Sequence, residues 1–278
     1  FPDNVFNHVI LTVPAGVGDT LWLECTSQIC PFGYLGTFTG NRNALAIGKE
    51  RAGIIHLPAL PAEQNVRTDS VQIELTEDRK TAHIQWDAGF SGMAIEDDQF
   101  YVAAAYSDPQ ERRKWIEENF SVKGGQVESF DLLMDTTTIG PPNGRVTLRV
   151  SSSQLLNVTA QRLYFQPNFF QSWTTALKPD SARVSPVYRR FGHTYVADLQ
   201  IAIPAGWAPE TMPAPVEEST PFGTYVRSVS FSDGALHYRR RITLQAGTFP
   251  AEQYNELVVL FKKMKKWDGE SVVFVRKE

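Results

Sequence analysis

The chain has 278 residues, 42% of them hydrophobic, and a formal net charge of -4. That is enough apolar material for one large core or two smaller ones, and the slight acidity gives no reason to expect a nucleic-acid partner. No run approaches the roughly 20 apolar residues of a spanning helix, so no membrane span is expected.

Short alternating runs bounded by Gly, Pro, Asn and Asp mark strands. From the N-terminus, Val9 to Val13 and Thr20 to Cys25 read as a hairpin around the turn PAGVGD. A second hairpin is expected from Val71 to Leu75 and Ala82 to Trp86, across the charged turn TEDRK. In SDPQERRKWIEENF, Asp108 and Pro109 give a helix its N-cap and first turn, and Trp115, Ile116 and Phe120 share a face. Strands follow at Val127 to Leu133 and Arg145 to Val150, joined by TTTIGPPNGR as a long hairpin turn. Further strands are expected at Arg162 to Phe165, Val196 to Ile203, Thr224 to Phe231, Leu236 to Leu244 and Val272 to Val275. The proline-rich GWAPETMPAPVEESTPFG reads as a loop between strands. FPAEQYNELVVLFKKMKKWDG spaces Tyr254, Leu257, Val258 and Phe261 as one helix face, and lysines fill its last turns, where they suit the dipole.

The class these elements define is mainly β, an α+β chain with two helices. HLPALPAEQNVRTD, His56 to Asp69, is the linker candidate. It separates a unit over residues 1–60 from one over 66–278, and a weaker break falls near residue 180. The chain opens on Phe1 rather than Met and shows no signal peptide, which reads as a processed or partial chain whose address lies elsewhere.

Cys25 and Cys30 have four residues between them, a spacing that matches no zinc motif, and no histidine pair completes a site. Neither a metal nor another cofactor is expected. A local disulfide and a pair of thiols both stay open. The acidic pair Asp97-Asp98 lacks the alternating oxygen ligands and glycine of a calcium loop.

Chemistry concentrates in the first hairpin. His8 stands on one strand and Glu24 near the end of the next, so an antiparallel pair can bring them side by side. A carboxylate there accepts the imidazole N–H and fixes the tautomer, and the other ring nitrogen can then take a proton from a thiol.

The stretches NHVILTV and DTLWLECTS resemble the His and Asp portion of transglutaminase-like, papain-type cysteine hydrolases. In that superfamily a Cys on a helix comes first. A His then opens a strand, and an Asp follows on the next strand, after an aromatic and before a Thr. His8 matches the His, Trp22 the aromatic, Glu24 the acid and Thr26 the Thr. PFGYLGTFTGNRNALAI, RVSPVYRRFG, IPAGW, MPAPVEESTPFGTY and GTFPAEQYNELVVLFKKM resemble later blocks of large bacterial proteins of this kind, which carry β-rich domains of unknown function around the core.

The resemblance implies that residues 1–60 are the C-terminal β portion of such a core. Residues 66–278 would be an antiparallel, β-sandwich-like accessory domain. It also implies an exported bacterial protein, periplasmic, secreted or on the cell surface. Its partners would be a protein, peptide or glycan substrate and catalytic and N-terminal domains upstream.

Two departures bear on this. No Cys precedes His8, and Cys25 follows Glu24 directly, so on a strand it faces the opposite way. The nucleophile is therefore expected upstream of Phe1. Glu24 stands where the pattern has Asp, one methylene longer. Two functions follow: part of a cysteine hydrolase that cleaves or transfers an amide acyl group, or a non-catalytic β-sandwich module for binding or scaffolding.

Tyr164, Phe165, Phe169, Phe170 and Trp173 crowd RLYFQPNFFQSW. With Trp22, the residues Tyr164, Phe169 and Trp173 are candidate ligand contacts; packing between domains is the alternative. His83 falls in a strand, His56 in the linker, and His193 and His237 have no evident acid or cysteine partner; all four read as structural.

Overall fold

The computed structural model describes every residue except 1–5, 17–18, 27–29, 50–51, 98, 106–107, 136–139 and 278. Asp98 and parts of the turns PAGVGD and TTTIGPPNGR therefore lie outside the described residues. The N-terminal part holds two hairpins, β1 (Leu11–Gly16) with β2 (Asp19–Leu23) and β3 (Asn43–Ile47) with β4 (Ala52–His56), and the short helix α1 (Gly36–Thr39) between them. β5 (Val66–Leu75) and β6 (Ala82–Ser91) follow, then helices α2 (Ala94–Asp97), α3 (Phe100–Ala105) and α4 (Pro109–Asn119). Next come β7 (Gly125–Asp135), β8 (Asn143–Ser152), β9 (Asn157–Val158), β10 (Arg162–Phe165), β11 (Val187–Arg189) and β12 (His193–Ala202). The chain closes with β13 (Trp207–Thr211), β14 (Val216–Thr220), β15 (Gly223–Ser232), β16 (Ala235–Leu244), β17 (Gly247–Phe249), a 3-10 turn at Ala251–Gln253, α5 (Tyr254–Asp268) and β18 (Val272–Arg276).

Eight strands form one open sheet in the order β14-β15-β16-β12-β5-β6-β8-β7. Its pairs are antiparallel except β12 with β5, which run parallel from Thr194↔Val66 to Ile201↔Ile73. A four-stranded sheet, β13-β18-β10-β9, shares its core. The fold is thus mainly β and α+β, as the strand pattern predicts, with one parallel pair inside it.

Period-two alternation decides which face is covered. In β6, Ala82, Ile84, Trp86, Ala88 and Phe90 are all buried, while His83 and Gln85 between them are exposed. Trp86, Leu148 and Leu199 on the large sheet share one core with Leu163, Val272 and Phe274 of the small sheet and with Trp115 and Ile116 of α4. α5 covers the other end of the same face, where Leu257, Phe261 and Met264 pack with Phe222, Tyr225 and Ile242. α4 begins as its sequence dictates: Asp108 accepts from the Gln110 N–H at 2.8 Å, with Pro109 next. α1, α2 and α3, of four, four and six residues, are too short to leave a periodic signal in the sequence.

The Arg239-Arg240-Arg241 run sits on β16, so the same alternation splits it. Arg239 and Arg241 face solvent, while Arg240 is buried and pairs across the ladder with buried Arg227. Two buried guanidinium groups need countercharge. Arg240 donates to Asp268 at 2.7 Å and Arg227 to Glu270 at 2.8 Å. Asp268 ends α5, where the dipole disfavours an anion, and it is held by Arg240, by the Tyr225 hydroxyl at 2.8 Å and by the Trp173 N–H at 2.7 Å. Arg240 also reaches Gln171, whose side chain donates to buried Asp69 of β5. This polar chain runs through the core from β5 to α5.

Arg190, Glu96 and Asn65 are among the side chains that tie the N-terminal part to the rest of the chain. Arg190 donates to the Phe38 carbonyl at 3.1 Å and the Gly40 carbonyl at 3.2 Å. Glu96 of α2 accepts from the Thr37 N–H at 2.9 Å and its hydroxyl at 2.6 Å. Asn65, buried in the linker candidate, donates to the Leu60 and Gly192 carbonyls and accepts from the Met93 N–H.

Candidate functional site

His8 lies three residues before β1 and Glu24 one residue after β2, so both flank the open end of the hairpin whose ladder starts at Leu11↔Leu23. The sequence placed His8 beside a strand starting at Val9. In the structure the strand begins at Leu11, and the imidazole reaches Glu24 beyond the ladder. His8 Nε2 and Glu24 Oε2 are 2.7 Å apart, a charge-assisted distance. With Nε2 spent on the carboxylate, Nδ1 is the nitrogen that can exchange a proton.

The other Glu24 oxygen is also held. Oε1 accepts from the Thr26 N–H at 2.9 Å and its hydroxyl at 2.6 Å. Burial alone would raise the Glu24 carboxyl, but the Thr26 hydroxyl, the Thr26 N–H and His8 outweigh it and hold it below the usual carboxylate range. Glu24 therefore stays ionised and acceptor-only at neutral pH. The Phe38 ring meets the His8 ring edge-on at 4.9 Å and limits its rotation.

The pair opens on a cavity of about 190 Å³. The N-terminal part contributes His8, Glu24, Thr26, Cys30, Tyr34 and Phe38; Ile95 and Glu96 of α2, Tyr101 of α3 and Pro142 close the far side. Cys30, Tyr34, Glu96 and Tyr101 escaped the sequence reading. Glu96 left one trace, its place directly before the acidic pair Asp97-Asp98.

Cys25 is exposed, donates only to the Leu23 carbonyl among the described residues, and lines no part of this cavity. Cys30 does line it. Burial first, then the Glu24 and Glu96 carboxylates, push its thiol up to about 11, and it donates toward the Tyr34 carbonyl at 3.4 Å. A thiol so protonated is a poor nucleophile at neutral pH. The two cysteines are thiols, not a disulfide.

The aromatic candidates disperse. Trp22 lines a separate groove with Tyr34, Pro58 and Met93. Tyr164 of β10 is half exposed, and Phe169 packs in the first core 6.2 Å from Trp86. Trp173 packs in the second core, 4.8 Å from Phe261. None of the four lines the cavity beside His8. The other histidines also stand apart from it. His56 bonds Asn43 and Asn41, and His83 is 3.9 Å from Glu128. Against the expectation that it lacks an acid partner, His193 lies 3.2 Å from Asp97, and burial first, then Arg189, lowers it to about 4. Among the described residues, no cluster of His, Cys, Asp and Glu is placed to hold a metal ion, and no helix is long and apolar enough to cross a membrane.

The class the fold and site define is a β-rich α+β protein with a His–carboxylate pair at a hairpin mouth. Residues 161–274 match a family described as a domain of unknown function with solved structure, DUF3858. That match runs from β10 into β18 and excludes the His8–Glu24 site. Among solved structures, the chain is similar to a protein of Parabacteroides distasonis described as a "putative protease". The likeness covers 42% of this chain and 24% of that one, at 14% identity and a TM-score of 0.33. No curated protein matches.

Proposed function

We propose that His8 and Glu24 are the proton-transfer half of a transglutaminase-like cysteine hydrolase or acyltransferase, whose nucleophilic Cys belongs to a segment outside these 278 residues. The observation that carries this reading is the 2.7 Å bond from His8 to an ionised, doubly anchored carboxylate at the mouth of a cavity. His8 Nδ1 would take the proton of the incoming thiol as its sulfur attacks an amide carbonyl. The imidazolium would return that proton to the nitrogen as the C–N bond breaks and a thioester forms. Water or an amine would then take the acyl group and restore the thiol. Glu24 keeps Nε2 protonated and stabilises the imidazolium.

Neither cysteine of this chain fits the nucleophile's role, because Cys25 is outside the cavity and the Cys30 thiol is held protonated. The motif resemblance supports export from a bacterial cell and a peptide, protein or glycan-linked amide as substrate.

The test is alkylation, by iodoacetamide near neutral pH, of a polypeptide that joins the proposed upstream segment to these 278 residues. One upstream Cys is expected to react fast, and His8→Ala and Glu24→Gln are expected to slow it by at least about tenfold, within the range of general-base effects. Equal rates in all three proteins would refute a working pair and leave a β-rich scaffolding module in its place.

A further inference from the structure

The cavity beside His8 carries features that proton transfer does not use. We infer that it is a specificity pocket for a positively charged side chain of a peptide, of the lysine or arginine type, with Glu96 as its countercharge and the Tyr34 hydroxyl as a second acceptor.

The lining has one sign. Glu24 and Glu96 are its carboxylates, and among the described residues no Lys or Arg lines it. Glu24 is committed to His8, so once the imidazole is charged that pair is neutral and Glu96 supplies the net negative charge. Thr37 donates its N–H and hydroxyl to Glu96 without neutralising its charge, and Oε1, whose contact with the Thr37 N–H is 3.1 Å, has capacity for another donor. Both carboxylates act at one point of the wall, since each contributes, after burial, to the rise of the Cys30 thiol.

A second observation is independent of charge. Tyr34 is 5% exposed, and its buried hydroxyl makes no hydrogen bond of acceptable geometry; burial first, then the neighbouring Glu96 carboxylate, push it up. A buried hydroxyl without a partner is uncommon and calls for an explanation. Here a cationic N–H donor between Tyr34 and Glu96 would satisfy both.

Shape agrees. At about 190 Å³ the cavity is below the roughly 300–1,000 Å³ of a small-molecule site and suits one side chain. Leu35 and Ile95 offer apolar surface to a methylene stem, and Phe38, Tyr34 and Tyr101 offer rings to a cation. Gly36, at φ +68°, lets this wall form, because a Cβ there would stand 2.8 Å from Glu96 Oε1.

Calling the occupant a substrate rests on the reading of His8 and Glu24; its charge preference does not. NMR titration of the 278-residue protein with the N-acetyl methylamides of lysine, arginine and norleucine tests it. Lysine or arginine is expected to bind at least about tenfold more tightly than norleucine, which keeps an apolar stem without the charge. The preference should weaken with added salt. It should fall to within about twofold in Glu96→Gln, which keeps an oxygen for Thr37. Tyr34→Phe should weaken lysine and arginine and leave norleucine unchanged. Norleucine binding as tightly as the cations, no binding by any of the three, or a preference that survives Glu96→Gln would overturn the inference. If Glu96→Gln does not fold, a salt-insensitive preference in the natural protein overturns it as well. No bond is broken here, so a failure leaves the alkylation test of His8 untouched. A failed alkylation test with the charge preference intact would leave a binding pocket without catalysis.

Discussion

Asp268→Asn removes one charge from the polar chain that crosses the core. The side chains of Arg240 and Asp268 are 1% and 0% exposed. Asp268 serves three donors, the Arg240 guanidinium, the Tyr225 hydroxyl and the Trp173 N–H. Asn keeps the size and one acceptor oxygen, so it leaves Arg240 as an uncompensated buried cation and at least one other donor short. Breaking a buried pair costs about 3–5 kcal/mol. With a urea slope of about 3 kcal/mol/M, the upper end for small proteins, the midpoint should fall by at least about 1 M. Urea titration followed by far-UV circular dichroism reads this directly. If the cost is the stranded cation, the double variant Arg240→Met, Asp268→Leu should recover most of it, because apolar replacement of both partners is close to neutral. A shift below about 0.3 M in Asp268→Asn, or a double variant no better than the single, would refute the reasoning.

Three further outcomes follow from the geometry. At pH 8 the Cys30 thiol, raised to about 11, should be only ~0.1% thiolate. Peptide mapping after brief iodoacetamide treatment should therefore find Cys25 labelled and Cys30 spared, and equal labelling would contradict the burial and the two carboxylates. Glu24 titrates below its ordinary value of about 4.3, so its contribution to stability is present above that pH and is lost as pH falls through the folded value. The Thr26 amide proton, bonded to Glu24, should report a midpoint below the ordinary glutamate value that vanishes in Glu24→Gln, and a midpoint at or above that ordinary value of about 4.3 would count against the anchored carboxylate. Gly144→Ala should cost about 1–3 kcal/mol, because the added methyl overlaps the buried Phe100 ring; an unchanged melting temperature would show that Phe100 can move.

Most of the large sheet was legible because each strand has one wet and one dry face. β15 and β16 lie within a residue of their expected bounds, β6 starts where expected and runs five residues further, to Ser91, and the capping signals placed α4 within one residue of its start. The hairpin β3–β4 carried no such signal. Ile47 and Ile54 there are 80% and 66% exposed, so apolar residues fail to mark an inward face. β13 and β14 were read as loop because prolines dominate the segment, yet both are edge strands, where a missing donor is tolerated. The parallel pairing of β12 with β5 has no local signature, since it joins strands more than 100 residues apart.

The site divides in the same way. His8, Glu24 and Thr26 are close enough in sequence for a pattern to expose them, whereas Glu96 and Tyr101 come to the cavity on short helices between two strands of the large sheet. Glu24 is one methylene longer than an aspartate, and the structure shows what that reach spans. His8 sits before its strand and Glu24 after its own, beyond the regular ladder, where facing Cβ atoms are no longer held at a fixed spacing. An added methylene extends the carboxylate across that opening at the cost of one more torsion. Thr26 then fixes the torsion through its N–H and hydroxyl on Oε1, which leaves Oε2 aimed at the imidazole. The Thr that follows the acid therefore has a mechanical reason to be there: it turns a flexible side chain into an oriented one. Arg190, in the segment that leads into β12, carries the same logic outward, because it anchors the Phe38 and Gly40 carbonyls, the backbone from which the ring beside His8 projects.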